Sequence, residues 1–272
     1  MGTTLQLDDV VTDLEEVWQR LLEIGGEIPD GMWTHPTSCP NWSIADNYAH
    51  IIGTEAMLAG EAQPKISGID MTIVKNPIGE MNQHWVESMR SMGKAELLDR
   101  LSKLKETRSK RLRSMTPEEW ETPGPTPVGQ APYGRFMQIR VFDCYMHEQD
   151  IRQAADLGFH PYGGAAERSL AEITPAMGFV VGKKANAPKG SIVRFVISGG
   201  QNTTFDVIVG DRASISYDLS PSPTTVLEIG FLAFTRLIGG RSEGGADYIS
   251  RITVSGDVAL GERVLENLNY LI

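Results

Sequence analysis

Asp143 and His147 stand four residues apart in RVFDCYMHEQD, within a stretch whose apolar residues recur at helical spacing. Residues i and i+4 share one helix face, so a carboxylate and an imidazole can meet one ion there. Arg140 and Asp150 extend the same stripe at i−3 and i+7. A stripe of ionisable groups is costly to bury unless its members are partnered. His50 lies in a second amphipathic stretch, with Asn47 and Thr54 on its own face. If the two helices face each other, His50, Asp143 and His147 converge. Two imidazoles and one carboxylate leave a coordination position open, the catalytic pattern for zinc. Asp150 or Glu148 would then orient an imidazole from behind. The spacing alone leaves a second reading open, since Asp-x-x-x-His also occurs on solvated helix faces.

The other candidate side chains are weaker. His35 and His160 each precede a proline and read as structural, and His84, beside Trp85, could line a site or the surface. The two cysteines, Cys39 and Cys144, can build neither a disulfide framework nor a cysteine-based zinc site. Cys144 adjoins Asp143 but points about 100° away round the helix. Cys39 precedes Pro40 at the entry to the second helix, near the expected pocket.

The elements that must position these groups fall into two parts. Residues 7–24 place Val10, Leu14, Val17, Trp18, Leu21 and Leu22 on one helical face. Ser43 and Asp46 have the spacing of a capping box ahead of the helix that carries Tyr48, Ile51 and Ile52. Residues 82–112 predict one long helix, or one broken at Gly93, and residues 135–157 predict another. The Pro/Gly-rich stretch 122–134 predicts a long connection. Four helices with one long connection suggest a four-helix bundle. From residue 159 the pattern changes. SIVRFVI, TTFDVIV and ASISYDL read as strands separated by turn formers. Residues 224–238 read as a helix, 251–254 as a strand and 258–271 as a terminal helix. The expectation is an α+β protein: a bundle over residues 1–158, a linker, and an α+β domain over 167–272, with the active cleft between them.

Charge follows the same division. The chain has 272 residues, with 25 Lys+Arg, 35 Asp+Glu and a net charge of −10. Nearly all of the excess falls in the first 160 residues. An acidic surface disfavours nucleic acid, which needs clustered Lys/Arg, and disfavours anionic membranes. No apolar run approaches the roughly 18 residues of a membrane span. The first residues carry neither a basic start nor an apolar core, which reads as no signal peptide. With two cysteines, the expected compartment is a reducing cytoplasm.

The segment SCPNWSIADNYAHIIGTE (38–55) resembles the second-helix signature of the mycothiol-dependent maleylpyruvate isomerase family, Cys-Pro-x-Trp-Ser/Thr followed by a metal-binding histidine. RVFDCYMHEQDIRQA (140–154) resembles its second signature, acid-x-x-x-His-x-x-Asp-x-Arg. GFLAFTRLIGGR (230–241) and ITVSGDVALGERVLENL (252–268) look like the C-terminal domain of such enzymes, which is similar to sterol-carrier proteins. The resemblance implies a DinB-like bundle with a divalent metal, zinc by default, on His50, Asp143 and His147, and mycothiol as thiol cofactor. Asp143 stands where the family has Glu. The resemblance also implies an arginine from the second domain near the site. Arg241 fits that role and Arg236 competes for it. Arg241 otherwise reads as a cation that caps its helix C-terminus.

The implied chemistry is transfer or isomerisation. A coordinated thiol is deprotonated, and the thiolate attacks a small electrophile. Addition, rotation and elimination would isomerise a cis-enoyl substrate, and other electrophiles would be S-conjugated. Three alternatives stay open. One is a metal-dependent hydrolase on the same bundle, with bound water as nucleophile. Another is a non-catalytic module that binds a lipid or small molecule. The third is a regulatory protein, which the acidic bundle and the want of a basic helix-turn-helix disfavour.

Overall fold

In the computed structural model, residues 7–72, 74–241 and 251–271 are described. The chain divides into two compact units, one up to Gly158 and one spanning Phe159–Leu271.

The first unit is helical. Helix α1 (Leu7–Glu27) buries Val10, Leu14, Val17, Trp18 and Leu21 of the face its periodicity implies, with Leu22 half-buried at its edge. Helix α2 (Ile44–Leu58) starts in a capping box. Ser43 Oγ accepts from the Asp46 amide at 3.2 Å, and the Asp46 carboxylate accepts from the Ser43 amide at 2.8 Å. Tyr48 donates its hydroxyl to the Leu21 carbonyl at 2.6 Å, tying α2 to α1. The region expected as one long or one broken helix is broken: α3 spans Pro77–Ser88 and α4 spans Lys94–Arg113, with Gly93 as the N-cap of α4. A short helix, α5 (Pro117–Trp120), precedes the last long one, α6 (Tyr133–Ala154). Helix α1 packs on α4 and α6, while α2 packs on α3, α4 and α6.

The Pro/Gly-rich connection is not structureless. It forms a hairpin, β1 (Pro123–Thr126) with β2 (Gly129–Pro132). Pro123 and Pro125 have the same parity on their strand, so both missing N–H groups can face away from the ladder.

The second unit opens with α7 (Gly164–Ile173) and α8 (Met177–Phe179), which continues as an irregular helical turn through Lys184. Its sheet has the order β5-β4-β3-β6-β7, with β3 Ile192–Ser198, β4 Thr203–Val209, β5 Ala213–Ser216, β6 Thr225–Gly230 and β7 Thr253–Gly256. Strands β3 and β6 are parallel and the other pairs antiparallel. Among the described residues, helix α9 (Phe231–Ile238) follows β6 and helix α10 (Val258–Glu266) follows β7.

The main departure from the sequence reading is at residues 224–238, expected as one helix. TVLEIG is a strand inside the sheet and only FLAFTRLI is helical. Thr225, Leu227 and Ile229 alternate into the core, but six residues running straight into a helical repeat hide a period of two. Among the described residues no helix is long and apolar enough to cross a membrane.

Candidate metal centre

Helices α2 and α6 bring the three candidate ligands together. His50 Nε2 lies 3.0 Å from Asp143 Oδ2, and His147 Nε2 lies 3.6 Å from Asp143 Oδ1. The two imidazole centroids are 4.7 Å apart. One donor atom from each residue fits within a 4.8 Å span. Donors about 2.1 Å from a tetrahedral ion stand roughly 3.4 Å apart, so the observed spacings suit one divalent cation. Both imidazoles are buried, while the Asp143 side chain keeps 29% of its surface, so access is from the carboxylate side. Trp42 covers the imidazoles, its ring 5.1 Å from His50 and 5.7 Å from His147. Its indole N–H donates to Gln83 at 3.3 Å.

Behind His147, Nδ1 lies 2.8 Å from Asn47 Oδ1 and 3.3 Å from Asp150 Oδ2. Cys39 donates its thiol to Asp150 at 3.1 Å. Cys39, His147 and Asp150 thus form a second compact group of donors. Of the two carboxylates expected to orient an imidazole, Asp150 is at hand. Glu148 turns away to Arg20 and Arg152.

The Asp143 carboxylate ends a chain of buried charges. Arg140 bonds it directly from one turn earlier on α6. Arg140 Nε also donates to Glu55 at 3.0 Å, and Glu55 in turn accepts from Arg108 Nε at 3.0 Å. Arg108 reaches the Tyr133 hydroxyl at 2.8 Å. Glu55 and Arg108 were not singled out in the sequence. Glu55 left a trace as an ionised residue in the otherwise uncharged last two turns of α2, whereas Arg108 is one of many cations on α4.

Electrostatics follow from this packing. Burial alone would raise the Asp143 carboxyl, but His50 and Arg140 outweigh it and hold it well below the usual carboxylate range. Burial pushes the His50 imidazole down. Burial also acts to lower His147, but Cys39, Asp143 and Asp150 outweigh it and raise it well above its ordinary value. Cys144 is buried, accepts from Arg140 Nη2 at 3.3 Å, and has its thiol pushed strongly up by burial.

The remaining candidates lie elsewhere. His84 Nδ1 accepts from the Ile66 amide at 3.2 Å and pins a loop. Arg241 is in the second unit, at the C-terminal end of α9, where its guanidinium donates to the Gly239 carbonyl and its amide to the Arg236 carbonyl.

A helical bundle with two buried histidines and a carboxylate at its core, followed by a sheet-containing unit, defines the class. The family model described as mycothiol maleylpyruvate isomerase N-terminal domain matches residues 14–152, just over half of the chain, and the protein belongs to that family. Two solved structures resemble the whole chain. The crystal structure of the mycothiol-dependent maleylpyruvate isomerase has a TM-score of 0.61 at 15% identity, over 94% of this chain and 96% of that one. A histidine-to-alanine mutant of it has a TM-score of 0.59 at 14% identity, with the same coverage. At these identities the likeness carries the fold. No curated protein matches the chain in sequence.

Proposed function

We propose that the protein is a divalent-metal enzyme that uses a small thiol, mycothiol, to transform a small electrophile, as an isomerase or an S-transferase. The observation that carries this reading is the meeting of His50, Asp143 and His147 inside the bundle, with one open side. The bundle, residues 1–158, would hold the ion, and zinc is the metal that best matches two imidazoles, one carboxylate and an open position. Bound there, zinc supplies a site at which a thiol loses its proton.

The protein's own groups divide the remaining work. His50 and His147 turn their Nε2 atoms to the shared site. Arg140 fixes the Asp143 carboxylate, and Trp42 keeps water from the imidazoles. Neither cysteine is placed as a nucleophile: Cys144 stays a protonated thiol against Arg140, and the Cys39 thiol is given to Asp150. The nucleophile therefore comes from outside. Arg241, in the domain over residues 167–272, is the arginine that the family resemblance implies for the reaction, and Arg241→Ala tests that. A cytoplasmic setting accords with a thiol that must be kept reduced.

The test is metal analysis of protein purified with and without EDTA, followed by turnover of a panel of electrophiles with mycothiol, with glutathione and with no thiol. Zinc-dependent turnover that needs mycothiol is the expected result. Full activity without any thiol would overturn thiol transfer in favour of zinc-assisted hydrolysis.

A further inference from the structure

Two groups of donors with the spacing to hold an ion meet at His147, one on each ring nitrogen. We infer that Asn47 decides between them, as a positioning residue that keeps a hydrogen on Nδ1 and presents Nε2 bare to His50 and Asp143. The metal consequence rests on the function proposed above, but the tautomer itself does not.

The neighbours of the Asn47 amide fix which way it faces. Its Nδ2 lies 2.9 Å from the Ser43 carbonyl and 3.0 Å from Thr37 Oγ1. A carbonyl only accepts, so the atom facing Ser43 must be the NH₂ group. The Thr37 hydroxyl gives its hydrogen to the Trp42 carbonyl at 2.9 Å and accepts from the Cys39 amide at 3.2 Å, so it also receives from Asn47. Reversing the amide would set oxygen against oxygen at Ser43. The side of Asn47 left for His147 is therefore Oδ1, at 2.8 Å from Nδ1. An amide oxygen cannot donate, so Nδ1 carries the hydrogen. Asp150 Oδ2, at 3.3 Å, is a second acceptor on the same edge.

A neutral imidazole has one N–H. With Nδ1 protonated, Nε2 offers a lone pair 3.6 Å from Asp143 Oδ1. A lone pair facing a carboxylate oxygen is repulsive unless a proton or a metal ion lies between them, so Nε2 is the nitrogen open to an ion. The converse holds on the other edge. The Cys39–His147–Asp150 group would need Nδ1 bare, and Asn47 denies it that. Of these two donor groups, the ion should therefore occupy the one on the Nε2 side and not the cysteine side.

The experiment uses full-length protein with ¹⁵N-labelled histidine. In metal-free wild type, at a pH where titration shows His147 neutral, the imidazole nitrogen shifts should report hydrogen on Nδ1 and none on Nε2. Hydrogen on Nε2 would overturn the inference, whether or not the protein binds metal. If wild type binds no ion, the proposed function fails while this measurement still decides the tautomer. Chelator competition should then give one zinc per chain; two would overturn it. Asn47→Leu, similar in size but without the acceptor, should remain folded and bind zinc about 10–100-fold more weakly, as expected when a partner that orients a ligand is removed. Thr37→Val, which loosens the amide without removing it, should show a smaller loss in the same direction. If Asn47→Leu does not fold, Thr37→Val carries the comparison. Unchanged imidazole shifts and zinc affinity within about twofold of wild type, in whichever variant is folded, would overturn the role of Asn47.

Discussion

Glu55 lies 3.0 Å from Arg140 Nε, and both side chains are out of water. Its other carboxylate oxygen accepts from Arg108, also buried, so one carboxylate balances two guanidinium groups while Arg140 passes on to Asp143. Three helices contribute to this chain: α4, α2 and α6. It sets both the charge and the direction of the Asp143 carboxylate at the candidate metal centre.

Removing the central charge should therefore be costly. Glu55→Gln leaves two buried guanidinium groups facing a neutral amide, and breaking a buried pair in this way costs about 3–5 kcal/mol. Urea unfolding should show that loss. Adding Arg108→Met should restore part of it by rebalancing the charge. A single-mutant loss under about 1 kcal/mol would mean that the chain is already solvated.

The metal ligands predict a coupled dependence on ion and acid. Zinc should raise the melting temperature of wild type, because an ion that binds only the native state stabilises it by mass action. His147→Ala should abolish that rise. Acid should release the ion, since a ligand imidazole must be unprotonated. His147, raised above its ordinary pKa, is the residue whose proton competes first as pH falls, while His50, lowered by burial, stays neutral longer. Zinc retention measured against pH should fall on the acid side, and His147→Ala should remove binding at every pH.

The second unit offers a pH test of its own. Asp206 accepts from Arg194 at 2.8 and 2.9 Å and from the Ser220 amide at 2.7 Å. Burial alone would raise its carboxyl, but these bonds outweigh burial and lower it. A carboxyl lowered on folding contributes stability that is fully present above its unfolded pKa of about 3.9 and is lost as pH falls through the folded value. Asp206→Asn should therefore cost about 2 kcal/mol at neutral pH, and the gap from wild type should close in acid. Urea midpoints at pH 7 and below pH 3 give the comparison.

Close packing of α2 on α3 depends on Gly53. A Cβ placed there would stand 2.4 Å from Trp85 Cβ, far inside contact distance. Gly53→Ala should destabilise the bundle by about 1–3 kcal/mol through overpacking, despite the better helix propensity of alanine. A neutral or stabilising effect in thermal melts would show that α3 can move away at little cost.

Much of the candidate site was legible because it is written in local spacing. Asp143, His147 and Asp150 share a face of α6 by helical periodicity, and Ser43 and Asp46 cap α2 with the bonds their spacing implies. Within 122–134 the spacing gives the connection but not its hairpin, and at 224–230 it hides a strand, for related reasons. A proline at every second position can still line one strand of a hairpin, and a short buried strand that runs into a helix shows no separable period.

By itself the sequence determined which side chains ride together on each helix, because 3.6 residues per turn is a property of the local backbone. Whether His50 would meet Asp143, 93 positions away, was settled only by the tertiary structure, since it depends on how α2 and α6 are rotated about their axes when the whole bundle packs. The same holds for Glu55 between its two arginines and for the Asn47 amide behind His147. Each of those arrangements is fixed by partners from several segments at once, and no spacing along one chain segment encodes them.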